Sequence, residues 1–164
     1  MKQKVLFVCL GNICRSPMAE AVMRHLVQEE GLSHLIEIDS AGTGDWHIGK
    51  QPHEGTRKLL DTKNISYTGM KARQVTADDL HQFTYIVCMD NQNLKDVQRV
   101  FKQAAGEGQR GKVITFMSLV AGSHVTEVPD PYYTGNFDEV YELVAQGCRA
   151  LLNEIKGELA ASGV

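Results

Sequence analysis

Residues 5–21 read VLFVCLGNICRSPMAEA, and the fold turns on how this stretch is divided. Residues 5–9 form an unbroken apolar run, the pattern of a strand buried on both faces of a parallel sheet. Ser16-Pro17 offers an N-cap followed by proline at the first helical position, and Met18, Ala21, Val22 and Leu26 follow at helical spacing before Gly31. The stretch therefore divides into strand, short loop and helix. Its bland interpretation is a well-capped connection holding two incidental buried cysteines, Cys9 and Cys14.

The same alternation continues outward. Ile36-Glu37-Ile38 predicts a strand closing into Ser40-Ala41-Gly42, and residues 52–63 a helix burying Leu59 and Leu60. Thr76-Ala77-Asp78-Asp79 carries a capping-box signature for a short helix. A third strand is expected at 85–89, a helix through Leu94, Val97 and Phe101, a fourth strand at 112–116 and a long helix from 137 to about 159. Strands alternating with helices imply right-handed crossovers, hence an α/β domain with a four-stranded parallel sheet in flavodoxin-like order 2-1-3-4 and helices on both faces. One domain over residues 1–164 is expected. Ligands of such sheets bind beyond the carboxyl ends of the strands, which puts the loop from Cys9 to Arg15 in the place for a site.

The chain has 164 residues, 43% of them hydrophobic, enough for a core without metal or disulfide staples. A net charge of −3 argues against nucleic acid as a partner. No apolar stretch approaches the ~20 residues that span a bilayer, and the first apolar run is too short for a signal peptide. The cytoplasm is the expected compartment, with no membrane partner. Cys9, Cys14, Cys88 and Cys148 lack zinc-finger spacing, and the histidines at 25, 34, 47, 53, 81 and 124 lack a metal-ligand pattern, so no metal and no cofactor are expected. Gly106-Glu107-Gly108-Gln109-Arg110-Gly111-Lys112 imitates a nucleotide loop, but Val113 stands where Ser or Thr must reach magnesium, and the motif precedes a strand.

The first loop carries chemistry. A short loop wrapping into a helix N-terminus can turn several backbone N–H groups toward one point, and Gly11 is expected to ease the backbone angles this requires. With the guanidinium of Arg15, which can grip two phosphate oxygens at once, the loop becomes a cradle for a tetrahedral oxyanion. The same field favours the thiolate of Cys9, and Ser16 can donate a hydrogen bond to its sulfur. A thiolate beside an oxyanion cradle points to attack on phosphorus and a cysteinyl-phosphate intermediate. Val128-Pro129-Asp130-Pro131-Tyr132-Tyr133 offers a proton donor, Asp130, held in a rigid loop by the prolines that flank it. Taken alone, that Asp-Pro reads as an ordinary turn; paired with the first loop, it reads as the proton donor.

Cys9-x5-Arg15-Ser16 with a late Asp130-Pro131-Tyr132-Tyr133 resembles the low-molecular-weight protein tyrosine phosphatases. The similarity spans nearly the whole chain and includes Asp39-Ser40-Ala41-Gly42-Thr43, Lys71-Ala72-Arg73-Gln74 and Cys88-Met89-Asp90. The resemblance implies a phosphotyrosine-protein phosphatase with Cys9 as nucleophile, Arg15 as phosphate clamp and Asp130 as general acid, then base. It implies a phosphate loop of Leu10, Gly11, Asn12, Ile13 and Cys14, with Asn12 bonded to Ser40, Ser16 tuning the thiolate and Asp90 bracing Arg15. Leu10, Trp46, Tyr132 and Tyr133 would wall a cleft for the phosphotyrosine ring; core packing is the bland alternative for Trp46, but its polar setting in Gly44-Asp45-Trp46-His47 favours a surface or rim location. Phosphate and other oxyanions would inhibit. Many members carry histidine before the Lys-Ala-Arg segment; this chain has Met70 there.

Cys14 can be a small apolar residue packed under the loop, or, as the resemblance implies, the partner that traps oxidised Cys9 as a disulfide. Rival readings remain on the same fold. An arsenate reductase needs a close downstream cysteine pair, whereas Cys88 and Cys148 are far apart. Protein-arginine phosphatases place threonine where this chain has Ile13. A catalytically inert phosphopeptide-binding module would not need Cys9, Arg15 and Asp130 together.

Overall fold

The computed structural model describes residues 2–102 and 111–163. In β1 (Gln3–Cys9), Val5, Leu6, Phe7 and Val8 are fully buried. Alternate side chains of a strand point to opposite faces, and here both faces are apolar: Val5, Phe7 and Cys9 enter one cluster, Leu6 and Val8 another. β1 pairs in parallel with β2 (Ile36–Gly42) on one edge and β3 (Tyr85–Cys88) on the other, and β4 (Lys112–Thr115) joins β3. The order is β2-β1-β3-β4, as the sequence predicts.

The helices are α1 (Arg15–Glu29), α2 (Glu54–Thr62), α3 (Asp79–Gln82), α4 (Asn91–Phe101), α5 (Pro131–Thr134) and α6 (Phe137–Ala161). The larger cluster joins the sheet to α1 through Met18, Val22 and Met23, to α2 through Leu59 and Leu60, and to α6 through Val144, Leu151, Leu152 and Ile155. Fully burying a side chain of this size contributes roughly 1.5–3 kcal/mol, so α6 is bound chiefly by this stripe. The smaller cluster takes Leu80 of α3 and Val97 and Phe101 of α4 on the opposite face. Among the described residues, no helix is long and apolar enough to cross a membrane.

The chain leaves β1 for β2 on one side and later returns to β3 on the other, which opens a crevice beyond the carboxyl ends of β1 and β3. The loop after β1 lies there, backed by Gly42. A Cβ on Gly42 would stand 2.9 Å from the Leu10 carbonyl oxygen and 3.1 Å from the Asn12 nitrogen, so only glycine lets β2 approach.

Several local expectations are corrected. Helix α1 begins at Arg15 with Cys14 at the N-cap, so Ser16 and Pro17 stand inside its first turn. The Ser16 hydroxyl is engaged by Cys9 and Asn12 instead of capping the helix. Pro17 is tolerated because the first-turn N–H groups have no helical acceptor. The box at Thr76 forms by half: Asp79 accepts the Thr76 N–H at 2.8 Å, while its own N–H turns to the Thr76 carbonyl. The fourth strand ends at Thr115, and Phe116–Leu119 forms a 3-10 turn. Of the glycine-rich stretch, Gly106 to Arg110 lie outside the described residues, and Lys112 opens β4.

Candidate active site

Asn12 organises the loop. Its φ of 56° is left-handed, a region asparagine tolerates better than most residues. Gly11, expected to supply the unusual angle, does not adopt it; the residue matters for space, since a Cβ would come within 3.0 Å of His47 Cδ2. The buried Asn12 amide donates to Ser16 Oγ at 2.7 Å and Ser40 Oγ at 2.9 Å, and its carbonyl accepts the Arg73 N–H at 3.0 Å. Ser16 Oγ in turn lies 3.0 Å from Cys9 Sγ.

Behind Asn12, Ser40 donates to the buried Glu20 carboxylate at 2.6 Å, and Arg24 reaches the other oxygen of Glu20 at 2.5 Å. Burial pushes the Glu20 carboxyl above the usual range, against the pull of Ser40 and Arg24. Met70 is buried beside this chain, bordering the same small space as Asn12, Glu20 and Ser40.

Arg15, only 2% exposed, is aimed by acidic partners. Its Nη1 donates to Asp90 Oδ2 at 2.7 Å and to the Val128 carbonyl at 2.9 Å; Nη2 reaches Asp130 Oδ2 at 3.4 Å. Burial works against its charge, but Cys9, Asp90 and Asp130 outweigh it and hold the guanidinium protonated. Its Nε is buried and finds no acceptor among the described residues. Asp90 is itself fixed as the N-cap of α4 by a reciprocal pair with Asn93. Asp130 is likewise an N-cap: Pro131 takes the first position of α5, and Asp130 Oδ1 accepts the Tyr132 N–H at 3.1 Å. The proposed rigid loop is thus the head of a one-turn helix.

These parts meet at a cleft of about 350 Å³. Its lining combines Cys9, Leu10, Gly11, Ile13, Cys14 and Arg15 with Trp46 and His47, and with Asp130, Tyr132 and Tyr133. Trp46 and Tyr133 stand well out in solvent, at 64% and 75% exposed. Asn12, Ser16, Ser40 and Asp90 lie outside the lining and support it from behind. Sequence reasoning passed over His47, Glu20, the Val128 carbonyl and Thr56, whose hydroxyl donates to the Cys14 carbonyl at 3.1 Å.

All four thiols are unpaired. Burial, then the charges of Cys9 and Asp130, push the Cys14 thiol up to about 12 against the pull of Arg15. Cys88 in β3 is pushed up to about 12 by burial, and Cys148 in α6 is raised by burial alone.

The family model for low molecular weight phosphotyrosine protein phosphatase matches residues 4–161. The chain belongs to this family. It is 49% identical to the low molecular weight protein-tyrosine-phosphatase YfkJ of Bacillus subtilis over 94% of the chain and 96% of that protein. It is 44% identical to PtpA of Staphylococcus epidermidis over 92% of each. The crystal structure of YfkJ superposes with a TM-score of 0.90 at 47% identity, covering 96% of this chain and 97% of that one. A fly relative, the drosophila arginine phosphatase DARP, superposes at 0.85 with 33% identity over 95% and 98%. Family membership makes the loop after β1 a phosphatase phosphate-binding loop, with Cys9 at its start.

Proposed function

We propose that the chain is a phosphotyrosine-protein phosphatase, one catalytic domain over residues 1–164, that hydrolyses aryl phosphate monoesters through a cysteinyl phosphate. The observation that carries this reading is the buried Nε of Arg15, a donor with no acceptor among the described residues, on a side chain that lines the cleft together with Cys9; a phosphate oxygen bound there would satisfy it. Cys9 Sγ attacks phosphorus in line, and the bond from phosphorus to the phenolic oxygen breaks. Asp130 delivers its proton to that oxygen, and the phenol leaves. Water then adds to the cysteinyl phosphate while the Asp130 carboxylate takes its proton; the P–S bond breaks, releasing phosphate and the Cys9 thiolate. Arg15 and the loop N–H groups bear the charge on the equatorial oxygens throughout, which is why phosphate and other oxyanions would compete with substrate.

The leaving group is read from the cleft. Ile13, Leu10, Trp46, Tyr132 and Tyr133 present apolar and aromatic surface, suited to a phenyl ring more than to a guanidino group. Cys88 and Cys148, buried in separate elements, do not support an arsenate-reductase relay. Unpaired thiols suit the reducing cytoplasm. Under peroxide, Cys9 would become a sulfenic acid with release of hydroxide; Cys14, relieved of the Cys9 charge, would then displace water and form the disulfide.

The test compares wild type and Cys9→Ser on phosphotyrosine, phosphoserine and phosphoarginine peptides. Turnover of phosphotyrosine alone, abolished in the variant, is expected. Fast phosphoarginine release with inert phosphotyrosine would overturn the reading in favour of the arginine phosphatase.

A further inference from the structure

His53 lies outside the lining of the cleft, yet it touches two residues that line it, Ile13 and Tyr132. Its backbone N–H donates to the Ile13 carbonyl at 2.7 Å. Its ring Nδ1 accepts the Gly55 N–H at 2.9 Å and so caps α2, leaving the other ring nitrogen to carry the proton in the neutral form. The ring stacks on Phe137 at the start of α6, with centroids 5.3 Å apart and planes 18° from parallel. Its edge meets Tyr132, with centroids 5.9 Å apart at 74°.

The surroundings are shaped for this ring sandwich. A Cβ on Gly55 would fall 2.4 Å from the Phe137 ring, so glycine at that position is what lets Phe137 lie where His53 stacks on it. Phe137 packs in turn against Ile13, Cys14 and Ala72 beneath the phosphate loop. Tyr132 is half-exposed and belongs to a one-turn helix, too short to fix its own side chain. Its ring meets the rings of His53 and Tyr133, and Tyr133 is more exposed still.

The geometry points to His53 as a positioning residue: its ring, braced by Phe137, holds Tyr132 in place as the wall against which the substrate's aromatic ring lies. This rests on the aryl phosphatase reading above. The main-chain and side-chain tasks of His53 are separable. Any substitution except proline keeps the N–H to Ile13, so the phosphate loop stays held, whereas only an aromatic residue keeps the contact to Tyr132. His53 thus acts on recognition of the leaving group and leaves the phosphate itself alone.

The experiment measures KM for p-nitrophenyl phosphate, Ki for inorganic phosphate and thermal midpoint in wild type, His53→Asn and His53→Phe. Asparagine keeps an acceptor at the N-cap and removes the ring; phenylalanine does the reverse. For His53→Asn, KM should rise roughly two- to ten-fold, the range an aromatic pair of this geometry carries, with the phosphate Ki unchanged. For His53→Phe, KM should stay within about twofold of wild type although the midpoint falls with the lost cap. In a Tyr132→Ala background, His53→Asn should raise KM no further. An unchanged KM in His53→Asn, a phosphate Ki rising in parallel with KM, or a His53→Phe KM as high as that of His53→Asn would each overturn the inference while leaving the phosphatase reading standing. Wild type releasing no p-nitrophenol would overturn both.

Discussion

Ser16 Oγ stands 3.0 Å from Cys9 Sγ and receives the Asn12 amide N–H at 2.7 Å. Because that amide can only donate, the single Ser16 proton is left for the sulfur. A hydrogen bond to a charged group contributes about 1.5–3 kcal/mol, and this one is strongest when Cys9 is expelled as a thiolate. Ser16→Ala should therefore lower kcat roughly 10- to 100-fold through slower breakdown of the phosphoenzyme. Stopped-flow traces should show a larger p-nitrophenol burst than wild type; a wild-type kcat would contradict the assignment.

Asp130 matters most when the departing oxygen is basic. Asp130→Asn should slow phosphotyrosine peptides by about 10²–10⁴, the usual range for general acid catalysis, and p-nitrophenyl phosphate by much less in the first step. Its side-chain oxygen still caps Tyr132, so the thermal midpoint should hold. Equal losses on both substrates, measured as burst rates, would remove Asp130 from the proton-donor role.

The thiols should differ sharply in reactivity. Cys14 and Cys88, each pushed up to about 12, and Cys148, raised by full burial, remain thiols at neutral pH. Limited iodoacetate should modify Cys9 alone, and phosphate should protect it. Peptide mapping that finds carboxymethyl Cys14 first would contradict this picture of the loop.

Glu20 predicts a pH signature in stability. Burial raises its carboxyl above the ordinary 4.5 despite Ser40 and Arg24. The folded state then holds the proton more tightly than the unfolded chain, so the stabilisation is full below the ordinary value and lost as pH rises through the raised one. From about pH 4 to about pH 7, the wild-type thermal midpoint should fall relative to that of Glu20→Gln. Scanning calorimetry in which wild type gains over this window would reverse the sign of the burial argument.

What could be read from sequence divides along physical lines. The strand in residues 5–9 was legible because both faces of β1 are covered, so its apolar run has no interruption. The helix start at Arg15 was not, because a tertiary demand on the Ser16 hydroxyl overrides its local preference for capping. The sequence suggests Gly11 as the flexible residue, yet Asn12 bears the left-handed angle, for asparagine's three hydrogen bonds hold it there. Glu20, His53 and Thr56 carry no spacing that ties them to Cys9; only the folded chain brings α1 and α2 behind the loop.

The central claim is that Cys9 carries the phosphoryl group between its two transfers. Asp130→Asn, deprived of the base for the second step, should accumulate the intermediate with p-nitrophenyl phosphate, whose leaving group needs little acid help. Rapid acid quench and peptide mass spectrometry should find one added phosphoryl group on the peptide bearing Cys9, absent when Cys9→Ser is combined with Asp130→Asn. Turnover with no phosphoryl group on Cys9, or a phosphoryl group on any other residue, would contradict the account.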